Sequence, residues 1–260
     1  MLIRMGYTVR ALAVTVPILY QWQTEVRTTT NVWKPHPITA GLGGVVHTGF
    51  DIVYLFTVIT LGITMVRKSR EKQYTLYGWM VVVLGCGDAF HLIPRAIALC
   101  TTGLESYTAA LGIGKMITSV TMTAFYVLLY GVYRERYDQK NRNMDLVIAL
   151  LAISRIVLCL FPQNAWTSAN PPLLWGILRN IPFTILGAVI VVLFTKQVKE
   201  KDDTPFRHLA LTIILSFGCY LPVVLFAEAV PMVGMLMIPK TCAYVWKVWI
   251  GFQAMKNCQK

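Results

Sequence analysis

Long apolar runs alternate with short polar stretches along most of this chain, and each run has the length of a membrane-spanning helix. Crossing the hydrocarbon core of a bilayer takes about 20 consecutive, mostly apolar residues in helical form. A further apolar segment, residues 5–22, has a short core and is interrupted by Arg10, so we expect an interfacial helix or a weak eighth span there. The seven predicted spans are residues 44–66, 75–99, 109–133, 144–161, 172–195, 207–229 and 233–252.

The polar stretches between the spans are of two kinds. Every second one is rich in lysine and arginine, as in RKSREK (67–72) and RERYDQKNR (134–142), whereas those between them, such as PQNAWTSANPP (162–172), contain neither. Short basic loops stay on the cytoplasmic side of a membrane. The pattern therefore predicts a multi-pass cell-membrane protein whose first span begins outside and whose C-terminus lies in the cytoplasm.

Composition agrees with a membrane protein, since 56% of the 260 residues are hydrophobic and 14% are charged. The net charge of +12 is concentrated in the predicted cytoplasmic loops, where it sets topology and attracts membrane lipids, so we expect no nucleic-acid partner. We predict an all-α fold with a seven-helix transmembrane domain over residues 44–255. An interfacial or extracytoplasmic segment (1–43) precedes it, and a cytoplasmic tail (256–260) follows. The sequence leaves the oligomeric state open.

The segment GCGDAFHLIPRAIAL (85–99) places Asp88, His91 and Arg95 inside the second span. Their spacing of i, i+3 and i+7 puts them on one helix face. Ionisable residues are rare in spans because each costs several kcal/mol to insert, and they usually face the bundle interior or a wet cavity. In the predicted orientation most such residues fall in the outer half. We expect a polar cavity there, open to the non-cytoplasmic side and formed by His47, Asp51, Asp88, His91, Arg95, Lys115, Arg155, Arg179, Asn180, Tyr220, Glu228, Lys240 and Tyr244.

This set contains five lysine or arginine residues and three aspartate or glutamate residues. A buried positive excess is costly without a counter-charge, and arginine offers forked donors that fit carboxylate or phosphate. Prolines fall at the same level in four spans, where they free backbone carbonyls to line a cavity; they are Pro94, Pro182, Pro222 and Pro239. We therefore expect an anionic or amphiphilic small-molecule ligand, taken up for transport or reception, and neither a cofactor nor a resident metal.

A membrane-embedded hydrolase acting on a lipid or a phosphate-bearing substrate is the alternative. His47, Asp51, Asp88 and His91 can supply ligands for a divalent metal and leave a position for water. The pair Phe90–His91 resembles the Phe-His pair of seven-helix zinc hydrolases of the alkaline ceramidase and adiponectin-receptor type. The late HxxxH pattern of those enzymes is absent here. Because nearby cations compete for the same carboxylates, we expect arginine and lysine to hold them.

Lys240 lies early in the last span, and Tyr244 and Lys247 continue its stripe at i+4 and i+7. A lysine in the last of seven helices also allows a retinal-binding protein, with the chromophore held by Lys240 as a Schiff base. Such a site needs a nearby carboxylate and an apolar pocket. The third span supplies Lys115 and no acid, which favours the anion-binding interpretation.

The predicted orientation can be tested with a cysteine at position 139, in a chain whose six native cysteines have been replaced. Position 139 lies in a basic stretch that the positive-inside rule assigns to the cytoplasm. We predict that a membrane-impermeant maleimide labels this cysteine in inverted vesicles but not in intact cells. Labelling in intact cells would overturn the orientation.

Overall fold

The computed structural model describes residues 37–101, 103–227 and 230–259, with side chains from Thr48 onward apart from that of Pro231. Of the described residues, 88% are helical and none forms a strand, which confirms the all-α prediction. Residues 5–22 lie outside the described part of the chain. The long helices are α1 (Pro37–Lys68), α2 (Lys72–Cys100), α3 (Thr108–Tyr137), α4 (Arg142–Leu160), α5 (Leu173–Lys201), α6 (Leu209–Phe226) and α7 (Met237–Cys258).

The helices follow the predicted spans closely, with α1 starting seven residues before the predicted limit of 44 and α7 ending six residues after 252. Six of the described helical segments are long and apolar enough to cross a membrane. They contain residues 48–68 of α1 and the whole of α2 to α6. Each helix packs against the next along the chain, and α7 packs against α1 to close a ring. In addition, α2 contacts α7 and α3 contacts α5, so some helices that are not neighbours in the ring also touch each other.

Local signals in the sequence fix several helix ends. The side chain of Asn141 accepts hydrogen bonds from the backbone N–H groups of Asn143 and Met144, so it caps the first turn of α4. Asp138 and Asp202 stand just after α3 and α5 with φ angles of 47° and 48°. This left-handed conformation commonly terminates helices, and aspartate tolerates it better than most residues.

The outer surface of the ring is apolar, most clearly on α4. Its hydrophobic stretch is only 22% buried, against 44% for the stretch containing α3. Leu146, Leu150, Ile153 and Val157 are all exposed and recur every three or four residues, so they form one continuous stripe. A stripe of this length on the outside of a helix is typical of contact with lipid chains.

Polar side chains tie the helix ends together where the loops are rich in lysine and arginine, which we call the basic end. Arg136 of α3 donates two hydrogen bonds to the carboxylate of Asp203, Nε to Oδ2 at 2.5 Å and Nη2 to Oδ1 at 2.7 Å. Tyr137 donates a third to Oδ2 at 2.7 Å. Burial alone would raise the pKa of Asp203, but the hydrogen bonds from Arg136 and Tyr137 outweigh it and hold the pKa below its ordinary value.

We predict that Asp203→Asn lowers the free energy of unfolding by about 3 kcal/mol at neutral pH, because it leaves a largely buried guanidinium without its counter-charge. Since the folded pKa is lowered, the carboxylate contributes fully above its unfolded pKa of about 4. Its contribution is lost as the pH falls through the folded value. The melting temperature of the wild type in detergent should therefore drop more steeply below about pH 4 than that of Asp203→Asn.

Glu135→Gln is the matched control. Glu135 pairs with Lys72 at 2.7 Å, but the Lys72 side chain is 71% exposed, and exposed pairs contribute about 0–1 kcal/mol. Equal losses of stability in the two variants would show that Asp203 has no special role.

Candidate functional site

The end of the bundle away from the basic end, which we call the opposite end, contains a half-buried carboxylate that accepts a hydrogen bond from a phenol. Tyr54 of α1 donates a hydrogen bond from its hydroxyl to Oδ2 of Asp88 on α2, at 2.7 Å. Tyr54 is 3% exposed. The charges of Lys240 on α7 and of Asp51 on α1 both act on Asp88. The helices α1, α2 and α7 therefore contribute four interacting polar side chains, which are Asp51, Tyr54, Asp88 and Lys240.

Lys240, in the first turns of α7, lies between aromatic rings. Its Nζ is 4.8 Å from the ring centre of Tyr220 and 5.4 Å from that of Tyr244, distances at which a cation is attracted to a ring face. Its charge also acts on His91 of α2. The ring of His91 is oriented by α3, with Nδ1 3.3 Å from the carbonyl oxygen of Leu111.

Arg155 of α4 is 2% exposed, and its contacts bind α4 to α5. Its Nη1 donates to the carbonyl oxygen of Arg179 at 2.9 Å and to Oδ1 of Asn180 at 3.0 Å. The guanidinium stacks 3.7 Å above the ring of Phe183. Pro182, which lacks a backbone N–H, lies in the same part of α5.

Arg179 points toward the segment between α4 and α5. Its Nη1 donates to Oδ1 of Asn164 at 2.8 Å, and the guanidinium lies 4.2 Å from the ring of Trp166. Asn164 is fully buried, and its amide donates to the Leu158 carbonyl at 2.7 Å. Close packing fixes this segment, because a Cβ atom on Gly112 of α3 would collide with the Trp166 carbonyl. Our sequence analysis missed both Asn164 and Trp166.

Tyr220 of α6 connects Asn180, which binds Arg155, with Lys240. Its hydroxyl donates to Oδ1 of Asn180 at 2.9 Å, and the same ring lies against Lys240. We call Arg155, Arg179 and Lys240 the cation cluster. The two arginines bind to carbonyl and amide oxygens and to ring faces, and the lysine lies over two rings. Their direct partners in the described part of the chain are therefore neutral groups.

The remaining predicted residues are less central. Arg95 is half-buried and Lys115 is exposed on α3, although both charges act on His91. The side chain of His47 and all of Glu228 lie outside the described residues. Within those residues, no three histidine, cysteine, aspartate or glutamate side chains converge as metal ligands would. Among the described residues, Tyr54 donates the hydrogen bond to Asp88 and the charge of Lys240 acts on the same carboxylate; the expectation that arginine and lysine hold the carboxylates stays a prediction.

Lys247, one turn below Tyr244 on α7, was visible in the sequence as part of a stripe but was not chosen as a site residue. Its side chain is 0% exposed, and Nζ has no hydrogen-bond acceptor among the described residues. Ring centres surround it at 4.9 Å for Tyr244, 5.1 Å for Phe125 and 5.3 Å for Tyr126. The amine therefore sits in an aromatic enclosure.

An open groove of about 420 Å³ runs between α1 and α7. Its walls are almost entirely apolar and include Val53 and Thr57 of α1 and Val245 and Trp249 of α7. Tyr54 also lines the groove, so the groove is separated from Asp88 by a single side chain. The space beside the predicted polar site is thus suited to hydrocarbon.

We predict that Arg155→Met lowers the free energy of unfolding by at least about 2 kcal/mol, since hydrogen bonds to charged groups contribute about 1.5–3 kcal/mol. Arg70→Met, at an exposed position between α1 and α2, is the control and should stay within about 0.5 kcal/mol of the wild type. Thermal unfolding in detergent measures both. An Arg155→Met protein as stable as the control would exclude a structural role for Arg155.

No protein-family model matches the sequence, and no curated protein or solved structure resembles it significantly. A function for the chain has to come from the chemistry of its own side chains. Those of the cation cluster are the most informative, because they combine burial, positive charge and neutral partners at one end of the bundle.

Proposed function

We propose that this chain is a seven-span membrane protein whose cation cluster binds a small amphiphilic anion at the non-cytoplasmic side. The alternation of basic and non-basic loops supports an orientation with the basic end in the cytoplasm. Helix α7, with 22 residues, is long enough for the seventh span at about 1.5 Å per residue. The cation cluster then lies in the outer half of the membrane.

The observation that carries the proposal is that the direct partners of the cation cluster, in the described part of the chain, are neutral groups. Carbonyl and amide oxygens and ring faces stabilise a cation, but they leave its full charge in place. Nearby, Asp88 is already held by Tyr54. Among the described residues, the three cations of the cluster therefore exceed the two predicted site acids, Asp51 and Asp88, and of the three only Lys240 acts on Asp88. A bound anion relieves that excess, because an uncompensated charge in a low-dielectric environment is expensive.

The three members of the cation cluster differ in role: one positions the site and two contact the anion. Arg155 is enclosed and fixes the Arg179 carbonyl and Asn180, so it positions the site. Arg179 and Lys240 are only half-buried, and arginine has five N–H donors, of which the described contacts use one. These two side chains are the ones that contact the anion. The groove between α1 and α7 offers an apolar surface for a hydrocarbon tail.

Dodecyl phosphate is the probe for this site. We predict that it raises the melting temperature of the protein in dodecyl maltoside with a saturable dose dependence. We expect Arg179→Gln and Lys240→Gln to weaken its binding at least tenfold, which corresponds to about 1.4 kcal/mol each, while both variants remain folded. Lys199→Gln, at an exposed position near the basic end of α5, is the matched control and should bind as the wild type does.

Two results would overturn the proposal. One is equal stabilisation by dodecanol, which has the same tail without the charge. The other is collapse of both the Arg179 and Lys240 variants in detergent while their remaining folded fractions bind dodecyl phosphate normally. The second result would mean that the cluster serves only to hold the helices together.

A further inference from the structure

Lys247 is the most deeply enclosed cationic side chain outside the proposed anion site among the residues that the structure describes. It lies ten residues into α7, about 15 Å along the helix axis, with no exposed surface and no hydrogen-bond acceptor in the described structure. Its Nζ faces three aromatic rings, and the charge of Lys240 acts on it from the same face of α7. The rings attract a cation, but the like charge of Lys240 opposes it and no oxygen in the described structure accepts a hydrogen bond from Nζ. Full burial therefore costs the charged form more here than at the half-buried Lys240.

These surroundings are the ones that turn a lysine into a nucleophile. Desolvation in an apolar pocket and the presence of a second cation each favour the neutral amine, whose lone pair attacks carbonyl carbon. We propose that Nζ of Lys247 forms an imine with an apolar, membrane-soluble aldehyde. The inference does not depend on anion binding by the cation cluster, since it concerns a different amine and an uncharged ligand.

The reaction is a condensation without a change of redox state. The Nζ lone pair forms a C–N bond to the aldehyde carbon as the carbonyl π bond opens, and a proton passes from nitrogen to oxygen to give a carbinolamine. The C–O bond then breaks, the oxygen leaves with two protons as one water molecule, and a C=N bond forms. Tyr126 and Tyr244, whose rings line the enclosure, each carry a hydroxyl, so protic groups belong to its walls.

The same surroundings select the ligand and preserve the product. Phe125, Tyr126 and Tyr244 present ring surfaces, which favour a flat, unsaturated or aromatic skeleton over a polar one. Hydrolysis of an imine requires water at the C=N carbon. The rings around Nζ shield a C=N bond formed there from bulk water, so we expect the adduct to be long-lived once the aldehyde has entered and reacted.

The experiment uses the full-length protein in detergent with 4-phenylbenzaldehyde, a flat and uncharged aldehyde, and with cyanoborohydride to reduce any imine to a stable secondary amine. Peptide mass spectrometry then compares the adduct at each lysine. We expect one adduct per chain, with at least tenfold more label at Lys247 than at the exposed Lys199. Dodecyl phosphate is absent, so failure here says nothing about the anion site.

Lys247→Arg should abolish the dominant adduct while leaving trace labelling at exposed lysines unchanged. If that variant does not fold, the distribution of label within the wild-type protein decides the question by itself. Label spread evenly over exposed lysines, or an unmodified Lys247 in protein that still melts cooperatively, would overturn the proposal.

Discussion

The enclosure of Arg155 sets the arrangement of the second half of the bundle. A guanidinium 2% exposed in an apolar bundle must find its acceptors within the protein. It finds them on α5, as the Arg179 carbonyl and the Asn180 side chain. Asn180 accepts in turn from Tyr220 of α6, whose ring lies against Lys240 of α7. Four consecutive helices are thus ordered by one charge and the groups that stabilise it.

The two ends of the molecule use arginine differently. At the basic end, Arg136 meets the carboxylate of Asp203 directly, so its charge is neutralised within the protein and the contact holds helix ends together. Arg155 and Arg179 are surrounded by neutral oxygens and rings instead. These contacts also join helices, but no acidic side chain among their described direct partners neutralises the charge. This difference in partner chemistry, more than burial, is the reason for proposing the anion site around Arg155 and Arg179.

Hydropathy and loop charge were enough to predict the helices, because a span has to be long and apolar whatever its neighbours are. The same patterns assigned Asp88 and Lys240 to one predicted cavity, since most ionisable residues within the spans fall in the outer half of the predicted bundle. The partner of Asp88 could not be predicted. Whether Tyr54 or Arg155 reaches it depends on the rotation of α1 and α4 about their axes, which spacing leaves undetermined. Asn164 and Trp166 were missed because an irregular segment has no period from which its side-chain directions follow.

The bridge between Arg136 and Asp203 joins residues 67 positions apart, and this separation has a consequence for biogenesis. When Arg136 reaches the membrane surface during synthesis, its acidic partner has not yet been translated, and two further helices must be inserted before it arrives. In the proposed orientation the guanidinium lies at the cytoplasmic boundary until then, where a basic residue favours retention of this end of α3 on that side. In that orientation Arg136 first contributes to the topology of the growing chain and later binds Asp203 in the complete one.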